Sequence, residues 1–262
     1  MPELPDVEIY RKYLQSTAFN QKIVKADFYC PRILHDITER RLQSALRGCR
    51  FTAAERHGKH LFAALDDTKW LVLHFGMTGF LAYYKDPDKQ PSHVCLQVAF
   101  DNGYYLAYDC QRKLGQISLT ADMESYIKKL GMGPDAMDQE LSFSTFKDRV
   151  ANGRGMIKSA LMDQDRIAGI GNIYADEILF QAGVDPKAKA GRLDEDRLRA
   201  IFRKTKEVLS TAIDRQAHPE DFPRSYIIPR RQAGAACPKC DGSIEAVKVS
   251  GRTTYYCPKC QK

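Results

Sequence analysis

Near its C-terminal end the sequence reads CPKCDGSIEAVKVSGRTTYYCPKC, two Cys-x-x-Cys pairs, Cys237/Cys240 and Cys257/Cys260, with 16 residues between them. Each pair can turn two thiolates inward from one tight knuckle, and four thiolates form the closed tetrahedral donor set of one structural zinc ion. No coordination position remains for a reactive water, so a catalytic metal is not expected. The intervening SIEAVKVSGRTTYY alternates as a hairpin does, which completes a zinc ribbon. A redox pair or two disulfides is the competing reading, and a doubled knuckle in a reduced compartment favours the metal. The other four cysteines, Cys30, Cys49, Cys95 and Cys110, lie in apolar or strand-like stretches and are expected as buried, reduced thiols.

A second constellation is DQDRIAGIGNIYADE at 163–177. Gly169 and Gly171 permit a tight reversal, and Asn172 precedes a helical stretch as a candidate N-cap. Backbone N–H groups beside a positive helix end are a ready phosphate site. By itself the string is also what an ordinary interhelical turn looks like. A third is the start, MPELPDVE, with an imino acid at position 2 and a carboxylate at position 3. Their ordinary readings are a rigid helix start for Pro2 and a favourable charge at that helix's positive end for Glu3.

The elements around these residues fall into three parts. After a first helix with Val7, Tyr10 and Leu14 on one stripe, KIVKADFYC, HLFAAL, WLVLHF, FLAYYK and VCLQVAFDNGYYLAY read as strands, the last with an Asn102-Gly103 hairpin signal. From about residue 121 the pattern turns helical, ending in a long amphipathic stripe of Leu198, Ile201, Phe202, Thr205, Val208, Leu209, Ala212 and Ile213. The expected fold is α+β and multidomain: an antiparallel β-sandwich over 1–120, a helical domain over 121–218, and a loop with the zinc hairpin over 219–262. Residues 1–150 carry 20 basic and 19 acidic side chains, whereas residues 151–262 carry 20 and 14. The basic excess in the C-terminal part suits a polyanionic partner, nucleic acid before an anionic membrane surface. No apolar run approaches the ~18 residues of a membrane span and the start lacks the basic and apolar regions of a signal peptide, so a soluble, cytoplasmic protein is expected.

Taken together, PELPDVE, HFGMTG at 74–79, IKSALMDQDRIAGIGNIYADEILFQAGVDP at 157–186 and GRTTYYCPKCQ at 251–261 resemble the formamidopyrimidine-DNA glycosylase and endonuclease VIII family across essentially the whole chain. The central string is similar to that family's helix-two-turn-helix signature. The resemblance implies a bifunctional glycosylase and abasic-site lyase of base-excision repair, acting as a monomer on damaged duplex DNA at the bacterial nucleoid, with the duplex between the sandwich and helical parts. It implies loss of Met1, so that Pro2 presents a secondary amine; an α-amino group with a pKa near ~8 is partly unprotonated at neutral pH, where a lysine near ~10.4 is not. Glu3 is then the proton-transferring carboxyl. Lys59, Lys158, Asn172 and Arg252 match groups that hold phosphates, Lys59 beside the lesion. Met77, Arg112 and Leu114 match the side chains that fill the gap left by an extruded base.

Three departures bear on substrate choice. Leu114 stands where the family usually has phenylalanine, Asp6 where it has glutamate, and FPRSYIIPRRQAG at 222–234 is shorter and more basic than the usual base-covering loop. Excision of 8-oxoguanine and formamidopyrimidines is the leading expectation. A preference for oxidised pyrimidines or abasic sites is the alternative, and a non-enzymatic damage-binding protein is the reading from another class.

Overall fold

A computed structural model describes residues 1–262. It comprises two compact units, one of Met1–Pro2 with Asp6–Leu130 and one of Glu3–Pro5 with Gly131–Lys262.

The first unit is a β-sandwich. One sheet has the order β2-β3-β4-β8 (Phe51–His57, His60–Leu65, Trp70–His74, Gln116–Thr120) and the other β1-β6-β7-β5 (Ile23–Phe28, Val94–Phe100, Tyr105–Cys110, Gly79–Tyr84), every pairing antiparallel. Alternating apolar residues from both sheets share one core, with Leu61, Ala63, Leu71, Leu73 and Ile117 opposite Ile23, Val98, Phe100, Leu106 and Tyr108. From α1 (Leu4–Thr17), Val7 and Leu14 enter that core. A second helix, α2 (Glu39–Leu46), is capped by Thr38 and buries Leu42 and Leu46. Cys30, Cys95 and Cys110 are buried as expected; Cys49, expected buried, is half-buried, its thiol donating to the Ala45 carbonyl at 3.3 Å.

The helical character begins at 121, yet α3 (Met123–Lys129) belongs to the first unit. Its Tyr126 hydroxyl donates to Ser118 at 3.2 Å and its ring meets Phe62 edge-on, while Lys129 pairs with Asp36 at 2.8 Å. These contacts carry the structural boundary to 130–131, beyond the change in local pattern.

The second unit packs α4 (Phe143–Ala151), α5 (Ile157–Met162), α6 (Asn172–Ala182) and α7 (Glu195–Asp214) around one core. The stripe on α7 is buried apart from half-buried Phe202. The hairpin β9–β10 (Glu245–Val249, Arg252–Tyr256) turns through Ser250 and Gly251, both at positive φ. Neither unit contains a helix long and apolar enough to cross a membrane.

His60 faces His74 across the β3–β4 pair, their rings 4.8 Å apart, with Tyr126, His57 and Lys59 close by. Burial, seconded by the neighbouring histidines and Lys59, pulls His60 down to about 3; burial and Lys59 pull His74 down to about 4. Both rings therefore stay neutral in the folded unit at pH values where the unfolded chain binds protons. Stability from this pair is complete above about 6.5 and is lost as pH falls toward the folded values, by at most about 1.4 kcal/mol per pH unit for each ring. Trp70, the single tryptophan, lies on β4 and reports on this unit. Its fluorescence melting midpoint should fall between about pH 6.5 and pH 4.5. In His60→Phe that pH dependence should shrink.

Candidate functional site

The Glu3 carboxylate, fully buried, sits on the N-terminal end of α6. One oxygen accepts from the Gly171 N–H at 2.8 Å and the Tyr174 N–H at 3.3 Å; the other accepts from the Ile173 N–H at 2.9 Å. These are N–H groups that a helix start leaves without internal partners, and the positive end of the helix favours an anion there. A side chain at position 171 would overlap the Glu3 carboxyl, so glycine is required. Beside it the Leu4 N–H donates to the Gly169 carbonyl at 3.1 Å and Leu4 enters the helical core. Half-buried Pro2 immediately precedes this arrangement.

Asn172 is not the N-cap expected from local sequence. Gly171 is, without a side-chain cap of its own, and Glu3 takes that role from far upstream. Released from capping, the Asn172 amide donates to the Thr253 carbonyl at 3.1 Å and accepts from Lys158 at 2.7 Å.

Lys158, expected with Asn172 at a phosphate, is wholly buried. Its ammonium reaches Asn172, the Thr254 hydroxyl at 2.7 Å and the Asp176 carboxylate at 2.6 Å. Burial lowers its pKa, against the opposing pull of Asp176. The other Asp176 oxygen accepts from Arg231 at 2.7 Å and from the Tyr255 N–H at 3.1 Å, and the Arg231 guanidinium lies over the Tyr255 ring. Lys158 thus holds Asn172 and β10 from beneath. Exposed Arg252 opens that same strand, two residues before Thr254.

The four zinc-ribbon thiols come together with every Sγ within 4.8 Å of the others, Cys237 to Cys260 at 3.7 Å and Cys240 to Cys257 at 3.6 Å. Tetrahedral zinc with bonds of ~2.3 Å requires S···S edges of about 3.8 Å, so the donor set fits. The Lys239 N–H points at the Cys237 sulfur and the Gly242 N–H at the Cys240 sulfur; the latter draws the Cys240 thiol down to about 7, whereas burial pushes the Cys257 and Cys260 thiols up. Phe180, Ile227 and Ile244 pack against the cysteines, and buried Gln261 donates to the Val184 carbonyl while accepting from the Cys257 N–H.

In the sandwich, topology brings three further residues together. β4 pairs with β8 in one sheet and β5 with β7 in the other, with His74 opposite Gln116 and Gly79 opposite Cys110. The β4–β5 and β7–β8 connections must therefore run side by side. Arg112 donates through its backbone to the Thr78 hydroxyl and through its guanidinium to the Met77 sulfur, both at 3.0 Å. Gly76, at φ +59°, lies so close to the Leu114 carbonyl that no side chain fits between them. Leu114 is 45% exposed. Half-buried Lys59 follows Gly58 in the β2–β3 turn.

Models of the formamidopyrimidine-DNA glycosylase N-terminal domain, of the same enzyme's H2TH domain and of a zinc finger found in FPG and IleRS match residues 1–117, 132–222 and 234–262. The formamidopyrimidine-DNA glycosylase of Heliobacterium modesticaldum is 31% identical over 279 residues, covering all of both chains. The chain belongs to the formamidopyrimidine-DNA glycosylase family. The Streptococcus mutans formamidopyrimidine-DNA glycosylase is 31% identical over 277 residues, again across both whole chains. Lactococcus lactis Fpg in complex with DNA containing an abasic site superposes with a TM-score of 0.90 at 27% identity, and MutM in complex with DNA containing carbocyclic 8-oxo-G with 0.90 at 28%, each over the full length of both chains.

The family strings assign roles to Lys158 and Asn172 but none to Asp176, Thr254 or Gln261, which lie within them, nor to Arg231 outside them; these four hold Lys158, Asn172 and the ribbon in place. One signal for Asp176 was present: it lies four residues after Asn172, on the same helix face. In Asp176→Asn the buried Lys158 loses its counter-charge, and denaturant unfolding followed by helix circular dichroism should show a loss on the order of 3–5 kcal/mol. Zinc chelation should unfold the β9–β10 hairpin while leaving Trp70 fluorescence of the sandwich unchanged; a parallel loss of both signals would contradict this.

Proposed function

We propose that this chain is a bifunctional DNA glycosylase and abasic-site lyase that removes oxidised bases from duplex DNA, with Pro2 as nucleophile and Glu3 as the proton-transferring carboxyl. The observation that supports it most is the Glu3 carboxylate, fixed by three backbone N–H groups one residue from the amine that Met1 removal would free. Family membership supplies the substrate class.

In this reading the Pro2 nitrogen attacks C1′ and the glycosidic electrons leave with the base, which takes up a proton. Opening of the sugar yields a cationic iminium at C1′; a secondary amine forms it without taking a further proton. The cation acidifies C2′–H, and its removal expels the 3′-phosphate; a second elimination expels the 5′-phosphate. A carboxylate held by three donors has a fixed position from which to pass protons to and from the sugar. Lys59, Asn172 and Arg252 hold backbone phosphates, Lys158 holds Asn172, and Met77, Arg112 and Leu114 fill the space left by the extruded base. One chain carries all of these groups, so the reading needs no second subunit.

Leading substrates are 8-oxoguanine and formamidopyrimidines. A preference for oxidised pyrimidines or abasic sites is the alternative, since the segment at 219–236, expected over the extruded base, is held to α6 through the Ile228 N–H on Glu177 at 2.9 Å and Arg231 on Asp176. Cleavage rates on duplexes with defined lesions separate the two.

Borohydride should trap a covalent adduct with an abasic or oxidised duplex, mapped by mass spectrometry to residue 2. A blocked amino terminus should abolish trapping, and a crosslink on an internal lysine would refute Pro2 as nucleophile. Glu3→Gln should lower base excision by about 10²–10⁴-fold while sparing much of the cleavage of preformed abasic sites, which need no leaving-group protonation.

A further inference from the structure

In the helical unit an open hollow of about 460 Å³ is lined by Gly153, Arg154, Lys189, Gly191 and Arg192. It has three cations in its wall and no carboxylate. All three basic side chains are exposed and make no hydrogen bond or ion pair. Other exposed basic side chains of this unit are engaged, Lys147 and Arg199 with Glu195 and Arg197 with Asp194, whereas Arg203, Arg215 and Arg224 are exposed without such a partner; what sets Arg154, Lys189 and Arg192 apart is that they share one hollow.

The backbone behind the three cations is held firmly. The Ala190 N–H donates to the Gly155 carbonyl at 3.0 Å and the Ile157 N–H to the Ala188 carbonyl at 2.8 Å, so the segment before α5 is laced to the segment before α7. Arg166 donates to the carbonyls of Arg149 and Asn152 and pairs with Asp163, which fixes the approach to Arg154 from the other side. Ordering flexible cations around a ligand costs less when their backbone is already fixed.

The next residues of the same two segments, Asn152, Gly155 and Ala190, line a neighbouring hollow together with Ser159 and the paired Asp163 and Arg166. The Ser159 hydroxyl meets that of Ser250 at 2.6 Å, at the hairpin tip two residues before Arg252. The unpaired cations therefore continue the surface that carries Arg252.

We propose that this hollow is a further duplex-phosphate site, taking one or two backbone phosphates beyond those assigned to Asn172 and Arg252. The proposal rests on the reading of duplex DNA as partner. A polyanion satisfies unpaired cations at an open site, releases counterions and carries no base information, so the site adds affinity and not lesion preference.

The test compares wild type with the triple variant Arg154→Gln, Lys189→Gln, Arg192→Gln on undamaged and abasic-analogue duplexes between about 50 and 200 mM salt. The slope of log K against log salt should become shallower by about one to two units, with similar affinity losses on both duplexes. Borohydride trapping at saturating protein should be unchanged. Lys147→Gln, which removes a paired cation of the same unit, should keep the wild-type slope. A triple variant with the wild-type slope, or an equal change in Lys147→Gln, would overturn the proposal. Wild-type protein that binds duplex without being trapped would instead count against the Pro2 chemistry, while the slope comparison would still decide the hollow.

Discussion

The N-terminal end of α6 has three backbone N–H groups that need an acceptor, and the chain supplies one from position 3. Much of the second unit follows from that contact. The carboxylate leaves no room for a side chain at 171, which accounts for Gly171. With the cap supplied from elsewhere, the Asn172 side chain is free to turn toward Lys158 and β10. The same helix then offers Asp176 to Lys158 and Arg231, so the orientation of α6 sets the position of the hairpin and of Arg252. A buried anion at the N-terminal end of α6 and a buried cation against its first turn are each acceptable in the interior because they are partnered.

How far the fold was legible depended on the range of the interactions involved. The zinc ribbon was readable because its ligands, spacing and hairpin all lie within two dozen residues. Strands such as WLVLHF and FLAYYK were readable because a half-buried strand declares itself by composition. FTAAERH, which forms β2, was not, since its two alanines and three charged or titratable residues carry little strand signal. The N-cap differs from the local expectation for a plain reason: a polar residue beside a glycine pair is the local favourite, and no local rule anticipates an acceptor 168 residues away. Lys158 shows the same limit. Its match to a family motif was visible, whereas its burial depends on Thr254 and Asp176, which the sequence does not place beside it.

Met77, Arg112 and Leu114 show a different kind of legibility. Met77 and Arg112 are 35 positions apart and neither belongs to a strand, yet their proximity is forced once the two strand pairings are known. Two connections that leave paired strands and enter paired strands have no alternative to running together. Leu114 shares that position through Gly76, whose backbone lies against the Leu114 carbonyl.

The pairing of Glu3 with Gly171 also has a consequence for synthesis on the ribosome. The carboxylate is among the first groups to emerge, whereas the helix that receives it follows 168 residues later, a delay on the order of 10–30 s at ordinary elongation rates. Through that interval the sandwich strands can pair among themselves, but Glu3 and Leu4 have nowhere to dock. The α6 helix in turn forms with its first N–H groups bonded to water. The group assigned to proton transfer is thus seated late, after nearly two-thirds of the chain has been made, and a truncated nascent product has no place to put it.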